Sequence, residues 1–135
     1  MRVSSESSWI ETAKKPKKYP KLAKDLKVDI LIIGGGLTGI VSFYLLSKLG
    51  KKVALIEKNE IGISGATGYT TAFITSYIDT EIQSLIKLFG RRKLKLIWQS
   101  GQAAIDLIEK VVRKEKIDCE FTRCSNFAFI RDPKT

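Results

Sequence analysis

Val28-Asp29-Ile30-Leu31-Ile32-Ile33-Gly34-Gly35-Gly36-Leu37-Thr38-Gly39 is the stretch on which the rest of the chain is read. A run of apolar, largely β-branched side chains enters three glycines, the pattern of a buried parallel strand that ends in a tight turn. From Leu37 to Leu49 the chain is long enough for a helix, and Gly50 stands where a left-handed helix stop belongs. Lys52-Val53-Ala54-Leu55-Ile56-Glu57 then gives a second short apolar run that ends on an acid. The order strand, glycine turn, helix, strand predicts an α/β unit.

Within that unit Gly34, Gly36 and Gly39 satisfy G-x-G-x-x-G, and Glu57 follows at the distance where a ribose-binding acid belongs. Gly34 permits the turn off the strand. Gly36, lacking a Cβ, lets a pyrophosphate approach the backbone, and Gly39 lets the helix pack closely on the sheet. With Gly35 between them, the N–H groups of Leu37 and Thr38 at the helix start bind phosphate oxygens with the help of the helix dipole. The Glu57 carboxylate accepts hydrogen bonds from ribose hydroxyls. A triphosphate-binding loop is excluded, because it needs Lys and Ser/Thr directly after Gly39, where Ile40 and Val41 stand. A membrane helix over the uncharged residues 30–47 is disfavoured by the three glycines at its middle. The motif grips the adenosine-pyrophosphate half that NAD and FAD share and leaves the choice between them open. The Glu57 carboxylate would repel the 2′-phosphate of NADP, although Lys58 softens that repulsion.

Across 135 residues, 24 Lys and Arg face 14 Asp and Glu, giving a formal charge of +10. Half of that excess falls in residues 1–27, read as a basic, extended leader in which Pro16 and Pro20 disfavour a helix and Trp9, Ile10 and Tyr19 provide anchors. The leader has no apolar stretch of signal-peptide length, so a cytoplasmic location is expected. It also lacks the aromatic interleaving of a nucleic-acid-binding arm, and no nucleic-acid partner is expected. The chain contains no histidine, which excludes Ser-His-Asp and Cys-His catalysis and histidine-ligated metals within it. Cys119 and Cys124 are too few for a disulfide framework and do not match a zinc spacing; they read as buried small hydrophobes or free thiols, and no metal site is expected.

Beyond the second strand, Gly62, Gly65 and Gly68 make a pliable loop in which Thr67, Thr70 and Thr71 offer hydroxyls and free N–H groups, either for a ligand or for an ordinary threonine-capped turn. Thr80 and Gln83 have capping-box spacing ahead of a helix that ends near Gly90. A second helix is predicted from about Arg91 to Lys116. Its apolar stripe, from Leu94, Ile97 and Trp98 to Val112, reads as packing surface, and Arg91-Arg92-Lys93-Leu94-Lys95 reads as a solvated helix face. Alternation in Cys119–Arg123 and in Asn126–Arg131 predicts a β-hairpin.

Val28 to Gly39, then Val53-Ala54-Leu55-Ile56-Glu57-Lys58, then Ser64-Gly65-Ala66-Thr67-Gly68-Tyr69-Thr70-Thr71-Ala72 resemble the amino end of FAD-dependent oxidoreductases of the D-amino-acid oxidase and glycine oxidase superfamily. Trp9-Ile10-Glu11-Thr12 and Ile117-Asp118-Cys119 are similar to the branch that often carries a Rieske domain at its far end. The resemblance implies a Rossmann-like FAD-binding region over 28–117 and the start of a β-rich substrate domain over 118–135. It implies FAD contacts at Gly34, Gly35, Gly36, Leu37, Thr38, Gly39, Glu57, Lys58, Gly65, Ala66, Thr67, Thr70 and Thr71. It implies oxidation of a C–N bond of an amine or amino acid, with catalytic residues beyond those present, so the chain reads as an amino-terminal portion inactive by itself. Phe43 stands where the family commonly has Ala or Gly, and is expected to crowd the helix against the sheet. Two other functions fit the residues alone: an NAD-binding dehydrogenase domain, and a basic module whose arm engages nucleic acid or anionic lipid.

Overall fold

The computed structural model describes Ser7, Ile10, Glu11 and residues 17–127. The chain divides into two compact units, Met1–Ala72 and Phe73–Thr135.

The first unit is built on strand β1 (Ile30–Ile33), helix α1 (Leu37–Lys48) and strand β2 (Val53–Ile56). The strands pair in parallel, with Ile30 opposite Val53 and Ile33 opposite Ile56. The ladder continues past both ends: the Asp29 N–H donates to the Lys52 carbonyl (2.9 Å) and the Gly34 N–H to the Ile56 carbonyl (2.8 Å). Asp29 also ties the strand starts together through its side chain, Oδ2 accepting the Lys52 N–H at 2.8 Å. Helix α1 stops at the expected glycine, where Gly50 has φ +75° and its N–H donates to the Ser47 carbonyl. A 3₁₀ turn, Gly65–Tyr69, closes the unit.

The structure corrects several expectations here. The strand is covered on one face only: Ile32 points to α1, where a Cβ on Gly39 would touch its Cγ2 at 3.4 Å, while Leu31 and Ile33 on the other face are 52% and 79% exposed. A period of two in a strand places alternate side chains on opposite faces, so an unbroken apolar run does not by itself say how many faces are covered. Phe43 does not hold the helix away from the sheet, because α1 approaches so closely at Gly39 that an added Cβ would overlap the Gly34 carbonyl oxygen. The Phe43 ring instead turns partly to solvent. Tyr19 is 63% exposed with the Lys17 ammonium 6.0 Å from its ring centre, and residues 17–27 run without helix or strand; Trp9, Lys14, Lys15 and Pro16 lie outside the described residues.

The second unit is organised by helix α2 (Ile82–Glu115), which holds the two predicted helices as one element broken at Gly90, a residue with φ +75° and ψ 158°. Its N-cap is Glu81 with no side-chain cap bond, so the Thr80/Gln83 capping box does not form. At the far end Lys116 takes the left-handed conformation, and the Ile117 N–H donates to the Val112 carbonyl, closing the last turn. Leu85, 6% exposed, is the one large apolar side chain buried among the described residues. Gly101 lies so near the Ser76 carbonyl that a Cβ would overlap it, and Asn126 donates to the Tyr77 hydroxyl at 2.8 Å. Residues 119–127 contain no strand, and the remainder of the expected hairpin, 128–131, lies outside the described residues. Cys119 and Cys124 are exposed free thiols, not buried ones. Among the described residues no helix is long and apolar enough to cross a membrane, and no group of three His, Cys, Asp or Glu gathers as metal ligands.

Candidate functional site

The carboxyl ends of the two parallel strands converge on the glycine turn, as α/β sheets place their ligand crevices. Gly34 makes the turn at φ +108°, a value that only glycine adopts without strain. Gly35 is buried, and a Cβ there would press within 3.0 Å of Ile61 Cγ1 and 3.1 Å of Glu57 Cβ. Gly36 is the N-cap of α1 and its carbonyl accepts the first helical bond, from the Ile40 N–H at 3.0 Å. No side chain caps the helix from that position, since glycine has none.

The loop after β2 returns to the turn. The Glu57 Oε2 accepts the Gly35 N–H at 2.7 Å and its Oε1 accepts the Asn59 N–H at 2.9 Å. Those two bonds, Gly35 first and Asn59 second, hold the carboxyl below its ordinary value, and Lys58 adds to the shift against a partial desolvation that opposes it. Glu57 is an anion at neutral pH, held by backbone N–H groups that leave acceptor capacity on the carboxylate. The Gly62 N–H donates to the Gly35 carbonyl at 2.8 Å, and the Thr67 hydroxyl accepts the Leu37 N–H at 3.0 Å. Thr67 thus satisfies one of the N-terminal helix donors, while the N–H groups of Thr38 and Gly39 belong to the first turn, which has no intrahelical acceptor for them.

Among the expected site residues, Gly34, Gly35, Gly36, Leu37, Glu57 and Thr67 are brought together. Thr38 starts α1 beside them and faces solvent, and Gly39 serves the helix–strand approach. Lys58 is exposed, and with Ile33, Gly34, Ile56 and Glu57 it lines a depression of about 410 Å³ at the strand ends. Gly65 and Ala66 lie on the 3₁₀ turn that carries Thr67. Thr70 caps its own turn, its hydroxyl accepting the Ala72 N–H at 3.3 Å, and Thr71 is exposed. Asn59 and Ile61 were not legible as part of the site, since one contributes only its backbone N–H and the other a packing contact.

A larger depression of about 480 Å³ in the second unit is lined by Asp106, Glu109, Lys110, Arg113, Lys114 and Arg123. It is a lattice of paired charges: Arg123 meets Asp106 and Glu109 at 2.6 Å each, and Arg113 meets Glu109 at 2.7 Å. Its guanidinium groups already have carboxylate partners, so chemistry at the strand ends is the better-founded site despite the smaller volume.

Residues 29–135 match the model of a family described as FAD dependent oxidoreductase. The putative Rieske 2Fe-2S iron-sulfur protein YhfW of Bacillus subtilis is 39% identical over 120 residues, 89% of this chain and 23% of that protein. The probable oxidoreductase OrdL of Haemophilus influenzae is 26% identical over 87% of this chain and 27% of its own length. The gamma-glutamylputrescine oxidoreductase of Escherichia coli is 23% identical over 98% of this chain and 31% of its own. The chain therefore spans about a quarter of the length of these relatives. No solved structure matches. The glycine turn, the acid that closes on it and the family match over 29–135 make this chain a member of the FAD-dependent oxidoreductase family, with FAD as its cofactor.

Proposed function

We propose that these residues hold the adenosine-diphosphate half of FAD for an oxidoreductase that removes hydride from a C–N bond of an amine or amino acid. The observation that carries the assignment of the site is the Glu57 carboxylate, fixed by the Gly35 and Asn59 N–H groups at the rim of the depression where the parallel strands end. The residues fit the group: Gly36 has no Cβ to fill the approach to the backbone, where one would stand 3.2 Å from the Thr67 hydroxyl. Gly34 to Gly36, with the N–H groups of Thr38 and Gly39, would take the pyrophosphate, Leu37 would lie against it with its own N–H held by Thr67, and Glu57 would take the ribose hydroxyls. Lys58 would flank the adenosine, and Gly65 to Thr67 with Thr70 and Thr71 would lie on the second phosphate side. The flavin, when bound, supplies the redox chemistry as acceptor of the two electrons. The protein's part within these residues is to bind and orient, and no catalytic residue is assigned among them.

The amine or amino-acid substrate class is supported by the resemblance of the glycine and threonine segments and by the name of the gamma-glutamylputrescine oxidoreductase relative. A Rieske domain as partner in the same protein is supported by the name of the Bacillus subtilis relative. Titration of the purified chain with FAD, NAD and ADP, read as a shift in melting temperature, tests the binding assignment. FAD and ADP should both raise it, with FAD saturating at lower concentration than NAD; a chain stabilised by NAD and not by FAD would overturn the reading.

A further inference from the structure

We propose that the first part of α2 seats the chain on a membrane surface rich in anionic lipid. Between Glu81 and Asp106 the sequence has no acidic residue, yet it carries Lys87, Arg91, Arg92, Lys93 and Lys95. All five are exposed, and none is in an ion pair among the described residues. The inner face of this stretch is occupied by its own unit: Leu85 is buried, Leu94, Ile97 and Gly101 are half-buried, and Gly101 abuts Ser76. What remains outside combines charge with apolar bulk. Beyond the Gly90 break Leu96 is 58% exposed and Trp98 48%.

That combination selects among acidic partners. A nucleic acid would engage the cations through phosphates and leave Leu96 and Trp98 in water, whereas a lipid interface meets both kinds of group: headgroup phosphates take the cations, and Leu96 and Trp98 enter the boundary with the acyl chains. Tryptophan is suited to that depth, with an apolar body and one N–H donor. At about 3.6 residues per turn, Arg92 and Leu96 share the side opposite Ile97 and Gly101, with Lys95 beside them and Trp98 on the flank. Docking and internal packing therefore do not compete for the same face. The binding is peripheral, consistent with the lack of a spanning helix among the described residues.

Co-sedimentation of the full 135-residue chain with phosphatidylcholine vesicles, and with vesicles of phosphatidylcholine and phosphatidylglycerol, is the test. Binding should appear with the anionic vesicles alone, at least about tenfold tighter than with the neutral ones, and should be lost at high salt. In a Trp9→Phe background the Trp98 emission should shift to the blue on binding. Arg91→Glu with Arg92→Glu and Lys93→Glu should abolish binding, and Arg91→Gln with Arg92→Gln should weaken it if the charge reversal fails to fold by circular dichroism. Reversal of Lys14, Lys15 and Lys17 in the other basic run should leave it within about twofold. The proposal is overturned if no vesicle binds, if the leader variant is the one that loses binding, or if duplex DNA binds while vesicles do not. FAD titration of the same variants keeps this result separate from the cofactor reading.

Discussion

Gly39 leaves no room for a methyl group against the Gly34 carbonyl oxygen, and the whole strand–helix approach depends on that closeness. Gly39→Ala should lower stability by about 1 to 3 kcal/mol, read from urea denaturation, and weaken FAD binding along with it. Gly50 differs in kind, since nothing lies within 4 Å of a Cβ there and only its backbone angle demands glycine. Glu57 is the residue where electrostatics can be checked. Its carboxyl is depressed in the folded state, so its contribution to stability is complete above the ordinary value of 4.5 and is lost as pH falls through the lowered folded value. Wild type should therefore exceed Glu57→Gln in stability at neutral pH, with the gap closing below pH 4.5, in parallel denaturations across that range. The position of Glu57 after the second strand was legible because it ends an apolar run. Its bonds to Gly35 and Asn59 were not, since a loop's return path depends on tertiary contacts that spacing does not encode.

Single elements show the same division between local pattern and distant partner. The βαβ order, the Gly50 stop and the break at Gly90 follow from glycine placement and apolar period, and each stands where the sequence puts it. The capping box and the start of the hairpin do not, because both were inferred from spacing while the outcome rests on what each segment meets. Residues after α2 reach back to the helix and to the segment before it: Arg123 to Asp106 and Glu109, and Asn126 to Tyr77. Arg123→Ala should speed amide exchange in 119–127 and leave the melting temperature nearly unchanged, since exposed ion pairs contribute little to global stability. Gly90 sits at angles that a side chain resists. Gly90→Ala should cost about 1 to 3 kcal/mol in denaturant titrations despite the better helix propensity of alanine.

On the scale of the whole molecule, the two strands among the described residues make a small sheet that depends on helix α1 for its packing. Its open face presents Leu31 and Ile33 to solvent. The folded chain should bind an apolar dye there, and Leu31→Thr with Ile33→Thr should cut that fluorescence while leaving far-UV circular dichroism intact. The sequence identified the strand but not its bare side, because apolar runs look alike whether one face is covered or two. The closures that shape the glycine turn, Gly35 to Glu57, Gly35 to Gly62 and Leu37 to Thr67, all lie within one continuous stretch of chain. The side-chain closures span 22 and 30 residues, and closure entropy grows only slowly with loop length. During synthesis, once residues up to Thr71 have cleared the ribosome, every group that builds the phosphate cradle is already outside, and it can assemble while the remainder of the polypeptide is still being made.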